Sequence, residues 1–141
     1  MLRHVLISTA ALFSLSAVPL TSSAQEPFPG TWHGVAPVNG MSCTFDRVMT
    51  TTGTYSEAAH CGSMATFQSG TYHVFPNHTV SFVVTNYSPT RRYVLDSGYS
   101  GHWEPNAKPP GGTFAYTFAG PNTLTFRDVN FNGTLTYHRL R

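Results

Sequence analysis

The stretch "MSCTFDRVMTTTGTYSEAAHC", residues 41 to 61, decides the fold. Its two halves flank Thr51-Thr52-Gly53, the pattern of two extended segments joined by a three-residue hairpin loop whose glycine takes the left-handed conformation. Pairing across that loop sets Cys43 opposite Cys61, Phe45 opposite Ala59, Arg47 opposite Glu57 and Met49 opposite Tyr55. Strand side chains alternate with period two, so these pairs share one face. The cysteines, the only two in the chain, meet without distortion, and in an exported chain a Cys43–Cys61 disulfide is expected. Closing such a loop stabilises a fold by about 3 kcal/mol. Arg47 and Glu57 lie on the same face as Phe45 and Met49. Either the pair orients a ligand, or the arginine stem covers apolar surface while its head reaches water.

The same pattern continues on both sides. "GTWHGVAPV" (30–38) reads as a first strand ended by Asn39-Gly40, a strong hairpin signal. "FQSGTYHV" (67–74) and "TVSFVVTN" (79–86) flank Pro76-Asn77-His78, setting Val74 against Val80 and Tyr72 against Phe82. "TFAYTFA" (113–119) and "TLTFRDV" (123–129) flank Gly120-Pro121-Asn122, setting Phe118 against Leu124 and Tyr116 against Phe126; Asn132-Gly133 then leads into "TLTYHRL" (134–140). About eight short strands with tight turns, and no helical periodicity of useful length, predict an all-β antiparallel meander. Closure into an eight-stranded up-and-down β-barrel protects the edges best, with a β-sandwich as the alternative. A barrel of this size is filled by side chains or holds one small ligand. Its expected interior includes Arg47, Glu57, Tyr72, Phe82, Tyr116 and Phe126.

The N-terminus reads as an export signal. Arg3 and His4 precede an apolar run from Val5 to Leu20, and Ser22-Ser23-Ala24 supplies the small residues of a cleavage site. Cleavage is expected after Ala24, leaving residues 25–141 as one domain in the periplasm or outside the cell. No later segment has the length and apolarity of a membrane-spanning helix. Without Arg3, seven Lys/Arg stand against six Asp/Glu, a net charge of +1, which argues against nucleic-acid binding. The charged fraction of 10% is low, but aromatic residues make up 13%, a balance that suits a packed core better than disorder.

One segment interrupts the hairpins. Residues 87–112 form a connection of about 26 residues, longer than compact domains usually use unless it is a lid or binding loop. It carries Arg91, Arg92, Tyr93, Tyr99, His102 and Trp103, and "RRYVLD" within it suits a short strand or a helical turn. Three readings stand: a lid over an open barrel end holding a small ligand, a protein-binding patch anchored by Trp, Tyr and Arg, or aromatics that only tether the loop. Gly98-Tyr99-Ser100-Gly101-His102 resembles a nucleophile elbow, but His stands where the last Gly belongs and no strand-to-helix context surrounds it. A hydrolase using Ser100 and His102, with Asp96 or Glu104 as orienting carboxylate, is therefore the weakest reading, and no catalytic residue is assigned. The six histidines after the signal show no ligand spacing, so neither a metal nor a cofactor is expected.

Gly30-Thr31-Trp32 resembles the Gly-x-Trp that opens the first barrel strand in calycins, the group that includes lipocalins and avidins. The resemblance implies an eight-stranded barrel in which Trp32 stacks against an arginine near the chain end, the place of Arg139 here, as a structural plug at the closed end. The lipocalin C-terminal helix has no counterpart. The chain also resembles small periplasmic inhibitors of secreted metalloproteases, eight-stranded barrels with an early disulfide after a Gly-x-Trp. Those inhibitors send an N-terminal trunk into the protease cleft, where this chain has Gln25 to Pro29. The expectation is thus a non-enzymatic, disulfide-bridged envelope protein that binds a small molecule at the open barrel end under the 87–112 loop. The alternative is an interaction module for an envelope protein, such as a protease inhibitor.

Overall fold

A computed structural model describes residues 27–96, 98–130 and 133–140; the expected signal peptide lies outside them. Ten strands follow one another: β1 (Gly30–Val38), β2 (Met41–Met49), β3 (Thr54–Cys61), β4 (Met64–Phe75), β5 (Thr79–Ser88), β6 (Arg91–Leu95), β7 (Gly101–Pro105), β8 (Gly112–Phe118), β9 (Thr123–Asp128) and β10 (Thr134–Arg139). Eight of them close into an antiparallel barrel in the order β1-β10-β9-β8-β5-β4-β3-β2. This is the barrel and not the sandwich. β6 and β7 form a separate two-stranded sheet, so the 87–112 segment holds a hairpin where a long loop was expected.

Turn chemistry sets the registers. Asn39 and Gly40 both take positive φ, at 49° and 79°, the geometry that matches strand twist in a two-residue hairpin. Gly53 takes φ 80°, and across it β2 pairs β3 with Cys43 opposite Cys61 and Arg47 opposite Glu57. The cysteines are disulfide-bonded with Cα atoms 4.3 Å apart. Tyr72 lies opposite Phe82, and Tyr116 opposite Phe126. Between β4 and β5 the register shifts at Ser69/Gly70, a bulge that increases local twist. A Cβ on Gly70 would lie 1.8 Å from the Val83 carbonyl oxygen, so only glycine permits this approach.

Two seams of the barrel are short. β1 and β10 pair only over Trp32↔Arg139, His33↔His138 and Gly34↔Tyr137. Pro37, further along β1, brings no N–H to a ladder. β5 and β8 pair from Thr79↔Ala115 to Phe82↔Gly112, after which β5 runs on to Ser88 paired only with β4. Both seams give out toward the same end, the one that carries the disulfide and the chain's exit to β6.

The opposite end is plugged. Trp32 is fully buried, its Nε1 donates to the Phe28 carbonyl at 2.9 Å, and the Arg139 guanidinium lies 4.2 Å over its ring. Arg139 also donates to the carbonyls of Pro29 (2.7 Å), Pro27 (2.6 Å) and Pro121 (3.1 Å). Gly30, at φ 147°, makes room for this arrangement: a Cβ there would meet Arg139 Nη1 at 2.1 Å. Phe28 enters the barrel and packs edge-on against Tyr116 and Phe118, with centroids 4.7 and 5.1 Å away. Burying a phenylalanine in this way contributes about 3 kcal/mol.

Candidate functional site

Midway along the barrel an ion pair is set among rings. Alternation turns Arg47 of β2 and Glu57 of β3 inward, and both are more than nine-tenths buried. Arg47 Nε donates to Glu57 Oε2 at 2.7 Å, and Nη2 lies 2.7 Å from the same oxygen in the ion pair. The same oxygen accepts the Tyr137 hydroxyl at 2.6 Å, and Gln68 Nε2 donates to Oε1 at 3.1 Å. The guanidinium carbon lies 4.6 Å from the Phe82 ring centre, 5.1 Å from Tyr137, 5.2 Å from Phe126 and 5.6 Å from Tyr55. Ring faces stabilise a cation when water is excluded.

These contacts fix the protonation states. Burial works against the Arg47 charge, but Glu57, Tyr137 and the hydrogen bond outweigh it and raise the affinity for the proton. Burial also pushes the Tyr137 hydroxyl far above its ordinary value, assisted by Glu57 against the pull of Arg47. Tyr137 is therefore a neutral donor. The Tyr55 hydroxyl is buried without a hydrogen-bond partner among the described residues.

Above this pair the barrel opens. A cleft of about 320 Å³ has apolar walls from Ala36, Phe45, Phe114, Phe126 and Leu135, with Arg47 and Tyr137 lining it below and Asp128, at the end of β9, adding a carboxylate to its lining. It lies where the β1–β10 seam ends: Ala36 and Leu135, the next inward residues beyond Gly34↔Tyr137, border a cavity instead of a rung. A second cleft of about 270 Å³ shares Phe45 and reaches Glu57, Gln68, Tyr87, Pro89 and Pro109. It lies beside the other short seam, where the 87–112 segment leaves and rejoins the barrel. At the closed end Phe28, Tyr72 and Tyr116 fill the interior, and Tyr72 donates to the Thr50 carbonyl at 2.6 Å.

The expected site residues thus separate into two groups. Of the six interior residues, Arg47 and Phe126 line the larger cleft and Glu57 the smaller; Phe82 packs in the ion-pair layer and Tyr72 and Tyr116 pack beside Phe28. Arg91, Arg92, Tyr93, Tyr99, His102 and Trp103 line neither cleft. Instead β6 and β7 sort them onto a hairpin. One face carries Tyr93 against Trp103 at 5.3 Å, with the Arg91 guanidinium 5.4 Å over the Trp103 ring. The other pairs Arg92 with Glu104 at 3.0 Å and holds His102 between Asp96 (2.9 Å) and Glu104 (3.1 Å). With both ring nitrogens facing carboxylates, His102 has none left to activate the Ser100 hydroxyl, which is the geometry a hydrolase would require. Tyr93, Leu95, Tyr99 and Trp103 are all at least half exposed. The hairpin is tied at its base by Asn106, which donates to the carbonyls of Thr90 (2.8 Å) and Pro89 (3.0 Å) and accepts the Tyr87 hydroxyl (3.0 Å).

Sequence reasoning placed Phe45 on the Arg47 face but missed Phe28, Phe114, Leu135 and Tyr137. The last three follow from the inward parity of their strands; Phe28 precedes the first strand and has no parity to read. Among the described residues no group of three His, Cys, Asp or Glu side chains is placed to hold a metal ion, and no helix is long and apolar enough to cross a membrane. Neither the models of known protein families nor the curated proteins provide a match to this chain.

Proposed function

We propose that this chain is an exported, non-enzymatic binding protein that holds a small, largely apolar molecule in the open mouth of its barrel. The cleft between β1 and β10 carries this reading, with rings on its walls, an oriented polar group at its base and a volume at the lower end of the small-ligand range. A disulfide across the β2–β3 rim supports it by holding one lip in place, and the export signal read in residues 1–24 is in keeping with a protein of the cell envelope or beyond. The test is binding of the neutral fluorophore N-phenyl-1-naphthylamine. The wild-type protein should bind the fluorophore, and a Leu135→Trp variant that fills the cleft should lose it while keeping its melting temperature within a few degrees. Equal binding by both proteins would place the fluorophore elsewhere and overturn the reading.

A second reading is supported by a different observation. The β6–β7 hairpin displays Tyr93, Leu95, Tyr99 and Trp103 to solvent, and Trp, Tyr and Arg together are the usual anchors of a protein interface. A partner in the envelope, as in the protease-inhibitor expectation, would engage this hairpin and not the Gln25–Pro29 segment, whose described part is occupied with Arg139. Crosslinking at position 99 in the native compartment, followed by mass spectrometry, should then recover one dominant protein. Recovery of none would dismiss this reading.

A further inference from the structure

We infer that the mouth cleft selects an uncharged ligand with a hydrogen-bond acceptor at its buried end, such as a ketone, ester or amide on an apolar body, and rejects the corresponding carboxylate. This inference rests on the proposed binding site and concerns only the chemistry at its base. An arginine lining an apolar cleft suggests at first a site for organic acids. The electrostatics here point the other way.

Glu57 already cancels the Arg47 charge within a hydrogen bond's length, and both side chains are buried. The lone pairs of Glu57 are engaged as well, since Oε2 accepts from Arg47 and Tyr137 and Oε1 from Gln68. The Tyr137 proton is committed to Glu57. Among the described residues no acceptor takes Arg47 Nη1, although Arg47 lines the cleft. The base of the site therefore offers N–H donors on an assembly with no net charge.

A ligand carboxylate placed there would add a second anion beside the buried Arg47–Glu57 pair, against walls of Phe45, Phe114 and Phe126 and in a cleft that Asp128 also lines, a costly arrangement. A neutral carbonyl would accept the same N–H, now a charge-assisted hydrogen bond, without adding charge. A plain hydrocarbon would fit the walls and leave the donor unpaired.

Three matched naphthalenes separate these cases: 2-acetylnaphthalene, 2-ethylnaphthalene and 2-naphthoate, each competing with N-phenyl-1-naphthylamine at pH 8, where the acid is ionised. The ketone should compete about tenfold more tightly than the hydrocarbon, and naphthoate more weakly than the ketone by at least about tenfold. Glu57→Gln removes the charge nearest Arg47, and in that variant naphthoate should gain on the ketone by at least about tenfold, although Asp128 still lines the cleft. If naphthoate is the tightest ligand of the wild-type protein, or if ketone and hydrocarbon bind equally, the inference is wrong although the cleft still binds ligands. If the fluorophore binds the protein and none of the three displaces it, the inference also falls, while failure of the fluorophore itself to bind overturns the binding reading beneath it. Should Glu57→Gln not fold, the order measured on the wild-type protein decides alone.

Discussion

At the scale of single residues, the Arg47–Glu57–Tyr137 cluster trades stability for orientation. A buried pair costs much of its own Coulombic gain in desolvation, so its removal as a unit is cheap and its disruption is not. Arg47→Met alone should lower the unfolding free energy by about 3–5 kcal/mol, because Glu57 stays buried with two neutral donors. The double variant Arg47→Met/Glu57→Leu should return most of that loss, as read from urea denaturation midpoints. A double variant no more stable than the single would show that the charge pair itself holds the fold. Tyr137 adds a pH dependence of definite sign. Its folded pKa is raised, so its contribution is complete below about pH 10, where the unfolded phenol begins to ionise. Above that pH the unfolded chain binds fewer protons than the folded one, and stability falls by about 1.4 kcal/mol per pH unit for each tyrosine still held neutral. Tyr137→Phe should flatten this alkaline limb while costing about 1.5–3 kcal/mol at pH 7 for the lost bond to Glu57. An unchanged slope would remove Tyr137 as its source.

At the scale of elements, the hairpins differ in what they contribute. The β2–β3 pair is tied by its disulfide, and replacing both cysteines with serine should cost about 3 kcal/mol. The β6–β7 pair touches the barrel mainly through Asn106 and Tyr87. Replacing Tyr93 and Trp103 together by serine should therefore change barrel stability by less than about 0.5 kcal/mol, and a larger loss would mean that these rings pack where they look exposed. Phe28 is the contrasting case: Phe28→Ala should cost about 3–5 kcal/mol in the same denaturation assay. The difference between these elements also marks what could be read from sequence. Hairpins with two- or three-residue turns declare their own registers, because Asn39-Gly40 or Thr51-Thr52-Gly53 allows few geometries and alternation does the rest. Arg91 to Pro105 declared aromatic and basic residues but no alternation against a core, so its pairing stayed hidden. Phe28, between two prolines, gave no periodic signal, and only the barrel interior shows where its ring goes.

At the scale of the whole molecule, the closure is what the sequence left least legible. Tight turns say which strands are neighbours along the chain, but the β1–β10 and β5–β8 seams join segments distant in sequence. Within residues 30–38 only Pro37, which brings no N–H to a ladder, hints that pairing with β10 stops after Gly34. That early stop makes the mouth, and the mouth holds Phe45, Phe114, Phe126 and Leu135 above an ion pair already satisfied. Binding at the mouth and the short seam therefore stand together: pairing Ala36 with Leu135 would close the cleft that these two residues border. The most direct test is a nitrogen-15 chemical-shift titration of the wild-type protein with 2-acetylnaphthalene. The account predicts saturable shifts centred on the amides of Ala36, Phe45, Phe114 and Leu135 and the Arg47 side chain, with Tyr93 and Trp103 unmoved. Shifts confined to residues 91–105, or none at saturating ligand, would contradict it.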